Sequence, residues 1–102
     1  MANERRNAAR LVGPFEGSWD GAASRRDCRI TDLSLGGCFI DAYASEPVGA
    51  RVQLSITLQG RTYRVPAEVV YADRVQGFAV KFLDDQSPDS LALADAIAAM
   101  AT

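Results

Sequence analysis

Histidine is absent from the chain, and there are only two cysteines and one lysine. Without histidine, Ser-His-Asp and Cys-His nucleophile pairs in their usual forms are excluded, as is every His-ligated metal site. Cys28 and Cys38 are too few for a zinc site of four thiolates. No apolar run approaches the roughly 18 residues that a membrane span requires. The opening residues, Met1-Ala2-Asn3-Glu4-Arg5-Arg6, lead into no apolar stretch of the signal-peptide kind, so a cytoplasmic location is expected. There the two cysteines are expected as reduced thiols rather than a disulfide. Nothing in this inventory supplies bond-breaking chemistry, and a protein that is not an enzyme and carries no metal or cofactor is expected.

What remains is enough chain for one domain. The 102 residues are 48% hydrophobic and 24% charged, an ordinary globular balance, and long enough to bury a core without disulfides or a structural metal. A net charge of −2 argues against a general binder of polyanions. The distribution of charge is more informative. Ten of the eleven cations are arginine, Lys81 being the exception. Residues 1–29 carry six arginines against four acidic residues, whereas residues 30–102 carry five cations against nine. Arginine forks onto phosphates and base edges in a way that lysine does not, and here it is concentrated toward the N-terminus.

Most of the chain has a period of two. Val52, Leu54, Ile56 and Leu58 alternate with Arg51, Gln53, Ser55 and Thr57, the pattern of a strand with one wet face. Gln59-Gly60 then offers a tight turn into a second alternating run, Tyr63, Val65, Ala67, Val69 and Tyr71, so the two runs form a hairpin. Pro66 within the second run predicts an edge position or a bulge, because proline donates no ladder hydrogen bond. Phe78, Val80 and Phe82 form a later strand after Gln76-Gly77. Earlier, Leu11 to Trp19 is a bulged strand broken by Gly13-Pro14 and Gly17. Arg26 to Leu33 places Cys28 and Ile30 on one face, and Gly37 to Ala42 is a short apolar strand. About six closely spaced strands predict a mainly β fold, a small antiparallel barrel or sandwich.

The tail changes period. Ser87 is a suitable N-cap, Pro88 fits the first helical position and Asp89 favours the first turn. Leu93, Ile97 and Met100 follow at helical spacing. A helix over about 87–101 is expected, its apolar stripe packed on the barrel or on a partner.

Two clusters could carry function. The first is Arg5-Arg6-Asn7-Ala8-Ala9-Arg10, in which Arg6 and Arg10 have R-x-x-x-R spacing. The second, Asp32-Leu33-Ser34-Leu35-Gly36-Gly37, reads D-x-S-x-x-G. Guanidinium groups fork onto phosphate oxygens and onto the N7 and O6 acceptors of guanine. The carboxylate of Asp32 can accept from guanine N1–H and the exocyclic amine. Ser34 can donate to a phosphate or base oxygen, and Gly37 leaves room for a ligand to approach the backbone. Together these groups suit a guanine nucleotide that is bound and not broken.

On these residues the chain resembles the PilZ domain, a bacterial family of cyclic di-GMP receptors. Gly77-Phe78-Ala79-Val80-Lys81-Phe82 adds to the likeness, being similar to the family's late G-x-x-V-x-F strand. The resemblance runs from about residue 4 to residue 100. It implies a six-stranded antiparallel barrel with a C-terminal helix, and an N-terminal arm, residues 1–10, that closes over the nucleotide. Arg6, Arg10, Asp32, Ser34 and Gly37 are the ligand-binding candidates, with Arg5 and Gly36 beside them. The arm holds no large apolar side chain that would fold it onto the barrel without ligand, so ordering on binding is expected. The resemblance also implies a downstream protein of motility, pilus or exopolysaccharide machinery, and no nucleic acid polymer as partner.

Other readings of the same residues stay open. Residues 5–10 also suit a solvated terminus, and Asp32 with Ser34 an Asx-type turn. Trp19, Tyr63 and Tyr71 read as core or as stacking platforms for bases. Arg25, Arg26 and Arg29 read as strand charges, one of which borders the site. The alternative function is an interaction adaptor of the same fold that binds a motility or pilus protein and no nucleotide. A small barrel for single-stranded RNA would want a broad basic face, which the net charge disfavours.

Overall fold

The computed structural model describes residues 10–21, 25–73, 75–83 and 86–101. Among these residues six strands, β1 (Arg10–Asp20), β2 (Arg25–Ser34), β3 (Gly37–Asp41), β4 (Arg51–Leu58), β5 (Arg61–Asp73) and β6 (Gly77–Phe82), precede one helix, α1 (Pro88–Met100). The strands close into a barrel in the order β1-β2-β3-β6-β5-β4, every adjacent pair antiparallel. Alternation along β4 and β5 drives closure, since it gives each strand a continuous apolar face that only a shared interior can hide. Trp19, Ile30, Leu33, Ile40, Leu54, Ile56, Val65, Val69 and Phe78 fill that interior. Trp19 meets Phe78 edge to ring at 5.0 Å, and its indole N–H donates to Glu46 Oε2 at 2.8 Å, tying down the loop between β3 and β4.

The β4–β5 hairpin turns on Gln59 and Gly60, both at positive φ, 50° and 85°. That is the backbone of a two-residue turn whose twist matches its strands, and glycine meets its second position without strain.

Pro66 sits at a local strand edge, as expected, and not at a bulge: it pairs with Gln53 of β4, while the β5–β6 ladder begins only at Ala67. Its carbonyl accepts from the Leu83 amide at 3.0 Å, just past the end of β6. Its missing N–H therefore falls where the β6 ladder has stopped. The bulge in β5 lies instead between Val69 and Tyr71. It reverses the alternation, so Tyr71, expected inward, is 54% exposed while Tyr63 is buried.

The β1 ladder to β2 shifts register between Val12 and Phe15, at Gly13-Pro14, as the sequence predicts. On its other side β1 pairs with β4 only through Gly17–Asp20. Arg10–Glu16 thus hold one neighbour, not two.

Helix α1 starts as expected. Ser87 is the N-cap, accepting from the Ser90 amide at 3.2 Å, with Pro88 in the first turn. Asp89 does more than favour the helix dipole: its carboxylate accepts from the Arg64 backbone amide at 2.8 Å. Arg64 lies in the part of β5 that runs beyond β6, so the helix covers a strand edge that would otherwise be open. Leu93 and Ile97 are buried against the barrel, and Met100 packs beside them. Among the described residues no helix is long and apolar enough to cross a membrane.

Candidate functional site

The β1–β2 ladder assembles the centre of the site. Arg10 stands opposite Ser34, Leu11 opposite Leu33, and Val12 opposite Asp32. Leu33 is buried and Leu11 packs against the core. By strand alternation Arg10, Val12, Asp32 and Ser34 therefore share the outer face. Two residues that are 22 apart in sequence meet there: the Arg10 guanidinium donates to Asp32 Oδ2 at 2.5 Å. Both side chains remain about half exposed, at 55% and 46%, so the pair is open to a ligand.

A bulge in β2 puts Asp32 on this face. Cys28 and Ile30 share the inner face, as the sequence reading has it. Beyond Ile30 the β2–β3 register shifts before Asp32, and Ile30 and Leu33 are both buried. An odd spacing between two inward residues reverses parity at the bulge. Asp32 and Arg29 consequently both face outward, and Arg29 is the β2 arginine on that face nearest in sequence to Asp32. It lies opposite Glu16 of β1 and Asp41 of β3.

The link from β2 to β3 is held at both ends. The Ser34 hydroxyl donates to the Gly37 carbonyl at 3.2 Å, and the Gly36 carbonyl accepts from the Phe82 amide at 2.9 Å. Gly36 is surrounded by open space, whereas a Cβ on Gly37 would overlap the Val80 carbonyl oxygen and crowd Lys81 Cα. Gly37 thus has a structural duty that the sequence reading did not give it: it lets β3 and β6 approach.

Arg5 and Arg6 lie outside the described residues. The structure accordingly brings together Arg10, Asp32, Ser34, Gly36 and Gly37. It adds one residue that sequence reasoning passed over: Val12, 86% exposed between Arg10 and Asp32, offers an apolar surface suited to the face of a purine. Its parity with Arg10 was the available signal. Trp19 and Tyr63, weighed as stacking platforms, are core residues.

The thiols lie apart from this chemistry. Both cysteines are free. Burial, with the charges of Asp27 and Asp41, pushes the Cys28 thiol up to about 12. Burial likewise raises Cys38, with smaller contributions from Cys28 and Asp32. Both stay protonated at neutral pH, and a protonated thiol is a poor nucleophile and metal ligand. Among the described residues no group of three or more Cys, Asp or Glu side chains is placed to hold a metal ion.

The described residues thus form a closed six-stranded barrel with a C-terminal helix, carrying an arginine and a D-x-S-x-x-G turn on one outer face. The family model of the PilZ domain matches residues 4–99, and the chain belongs to that family. Solved structures agree in fold. The PilZ domain of CeSA from a cellulose-synthesizing bacterium superposes with a TM-score of 0.73 at 15% identity, over 91% of this chain and 98% of that one. The Bacillus subtilis inhibitor of motility MotI/DgrA superposes with a TM-score of 0.72 at 16% identity, over 89% of this chain. This chain spans about half the length of MotI/DgrA, covering 48% of it. No curated protein matches the chain.

Proposed function

We propose that the protein is a receptor for cyclic di-GMP that passes the signal on as an adaptor, without catalysis. The observation that carries this reading is the convergence of Arg10, Asp32 and Ser34 on one exposed face, from two strands paired in register. Arg10 supplies the fork for phosphate and for guanine O6 and N7. Asp32 accepts from guanine N1–H and the exocyclic amine. Ser34 donates to a phosphate or base oxygen, and Gly37 puts no side chain in the ligand's way. Arg6 joins Arg10 as the N-terminal arm, residues 1–10, orders over the ligand, and the newly ordered arm is the surface a cytoplasmic partner reads. Membership of the PilZ family supports the ligand, and the likeness to an inhibitor of motility supports a partner in motility machinery.

Calorimetric titration with cyclic di-GMP tests the reading. Saturable binding in the micromolar range or tighter is expected. Absence of heat and of any thermal shift at high micromolar ligand leaves the adaptor function alone standing.

A further inference from the structure

The lone lysine of the chain lies in the same row as the site. Across the barrel, Arg10 of β1 pairs with Ser34 of β2, and Gly37 of β3 pairs with Lys81 of β6. Ser34 and Gly37 follow the Leu33–Cys38 pair at the end of the β2–β3 ladder, and the Ser34 hydroxyl bonds to Gly37. Cys38 and Val80 are buried, so Gly37 and Lys81, one residue away on each strand, face outward with Ser34 and Arg10. The row reads Arg10, Ser34, Gly37, Lys81. The place of a Gly37 side chain is taken by the Val80 carbonyl, so no side chain projects between the two donors. With strands about 4.8 Å apart, the Ser34 and Lys81 backbones flank Gly37 at roughly 10 Å.

Among the described residues the exposed Lys81 side chain forms no ion pair or hydrogen bond, although Glu68 of β5 stands directly opposite it. An ammonium on a flexible stem, not bonded to the carboxylate opposite it, with no side chain between it and Ser34, matches an anion as a point charge rather than a base edge. A cyclic dinucleotide has two phosphates, and the guanidinium fork of Arg10 lies at the other end of the row.

We infer that Lys81 is a further ligand-binding residue, closing over Gly37 on one phosphate of the cyclic dinucleotide while Arg10 serves the opposite side. This rests on the cyclic di-GMP reading given above. A phosphate contact has a signature distinct from base reading: its loss weakens binding regardless of base and makes binding less sensitive to salt.

The test is calorimetric titration of the full chain with cyclic di-GMP at three salt concentrations, for the native protein and for Lys81→Ala, Lys81→Arg and Arg25→Ala. Arg25 is an exposed cation at the far end of β2 and controls for net charge. Lys81→Ala is expected to weaken binding at least fivefold with a shallower salt dependence, Lys81→Arg to stay within about twofold, and Arg25→Ala to be unchanged. Thermal midpoints report that each variant is folded. Native-like affinity and salt slope in Lys81→Ala overturn the inference while leaving the receptor reading intact, as does an equal loss in Arg25→Ala. Absence of binding by the native protein removes both.

Discussion

The Arg10 guanidinium and the Asp32 carboxylate meet across the β1–β2 ladder at 2.5 Å, each still about half exposed. An exposed pair of this kind contributes only about 0–1 kcal/mol to folding, so its residues can be changed without endangering the barrel. Arg10→Ala is expected to weaken cyclic di-GMP binding by about 1–3 kcal/mol, the scale of one good bidentate contact, with an unchanged thermal midpoint. Arg10→Lys should recover only part of the loss, since lysine cannot fork. Arg6→Ala should weaken binding similarly, and full affinity in the Arg6→Ala, Arg10→Ala double variant would remove the site from this face.

Base choice is a separate expectation. Cyclic di-GMP should be preferred over cyclic di-AMP by at least tenfold, because adenine offers no O6 to Arg10 and no N1–H to Asp32. A buried polar group left without its partner costs about 1–3 kcal/mol. Asp32→Ala should weaken binding and narrow the preference together. Paired titrations with the two dinucleotides measure this, and equal affinities in the native protein would mean that phosphate alone is read.

The two adjacent glycines of the turn should behave differently. At Gly37 an added methyl group meets the Val80 carbonyl, whereas at Gly36 it meets open space. Gly37→Ala is expected to destabilise the fold by about 1–3 kcal/mol, the cost of overpacking, and Gly36→Ala to leave it nearly unchanged. Urea denaturation of the free proteins separates the two; equal midpoints would mean that β3 and β6 give way easily.

Alkaline stability follows from the thiols. Cys28 titrates near 12 in the folded protein against an ordinary value of 9.0, and Cys38 is raised as well. Above pH 9 the unfolded chain loses these protons while the folded one keeps them, so the folded state binds more protons and stability falls as pH rises. Stability from these groups is fully present below about pH 9 and is lost progressively as pH rises toward 12. Denaturation midpoints recorded from pH 7 to 11 should decline more steeply in the native protein than in a Cys28→Ala, Cys38→Ala variant. Parallel declines would assign the loss to other groups.

The barrel and its helix were legible because Val52 to Leu58 and Tyr63 to Val69 alternate without interruption, and because Ser87-Pro88-Asp89 is a strong helix start. The bulge in β1 was legible too, at Gly13-Pro14, but those in β2 and β5 were not. Each depends on how one extra residue is accommodated by a neighbouring strand, which local alternation does not record. At Val70 this reversed the expected side of Tyr71. In β2 the signal was present, as Ile30 and Leu33 are both large and apolar at an odd spacing, and it would have shown why Asp32 and Arg29 share a face. In the site, motif spacing identified Arg10, Asp32 and Ser34. Lys81 escaped because its nearness to Ser34 is set by the β3–β6 register, between segments that are far apart in the chain.

The half-ladder of β1 has a consequence for the timing of local opening. Arg10–Glu16 are held by β2 and gain no hydrogen bonds from β4, so this stretch is hinged along a single edge. Its backbone amides should exchange with solvent through a small opening, well before those of Gly17–Asp20, which are clamped on both sides. A ligand that bridges Arg10 to β2 acts as a second fastening on the loose edge. Occupancy would therefore register as slowed amide exchange along the first half of β1, at residues such as Leu11 and Phe15 that point away from the ligand.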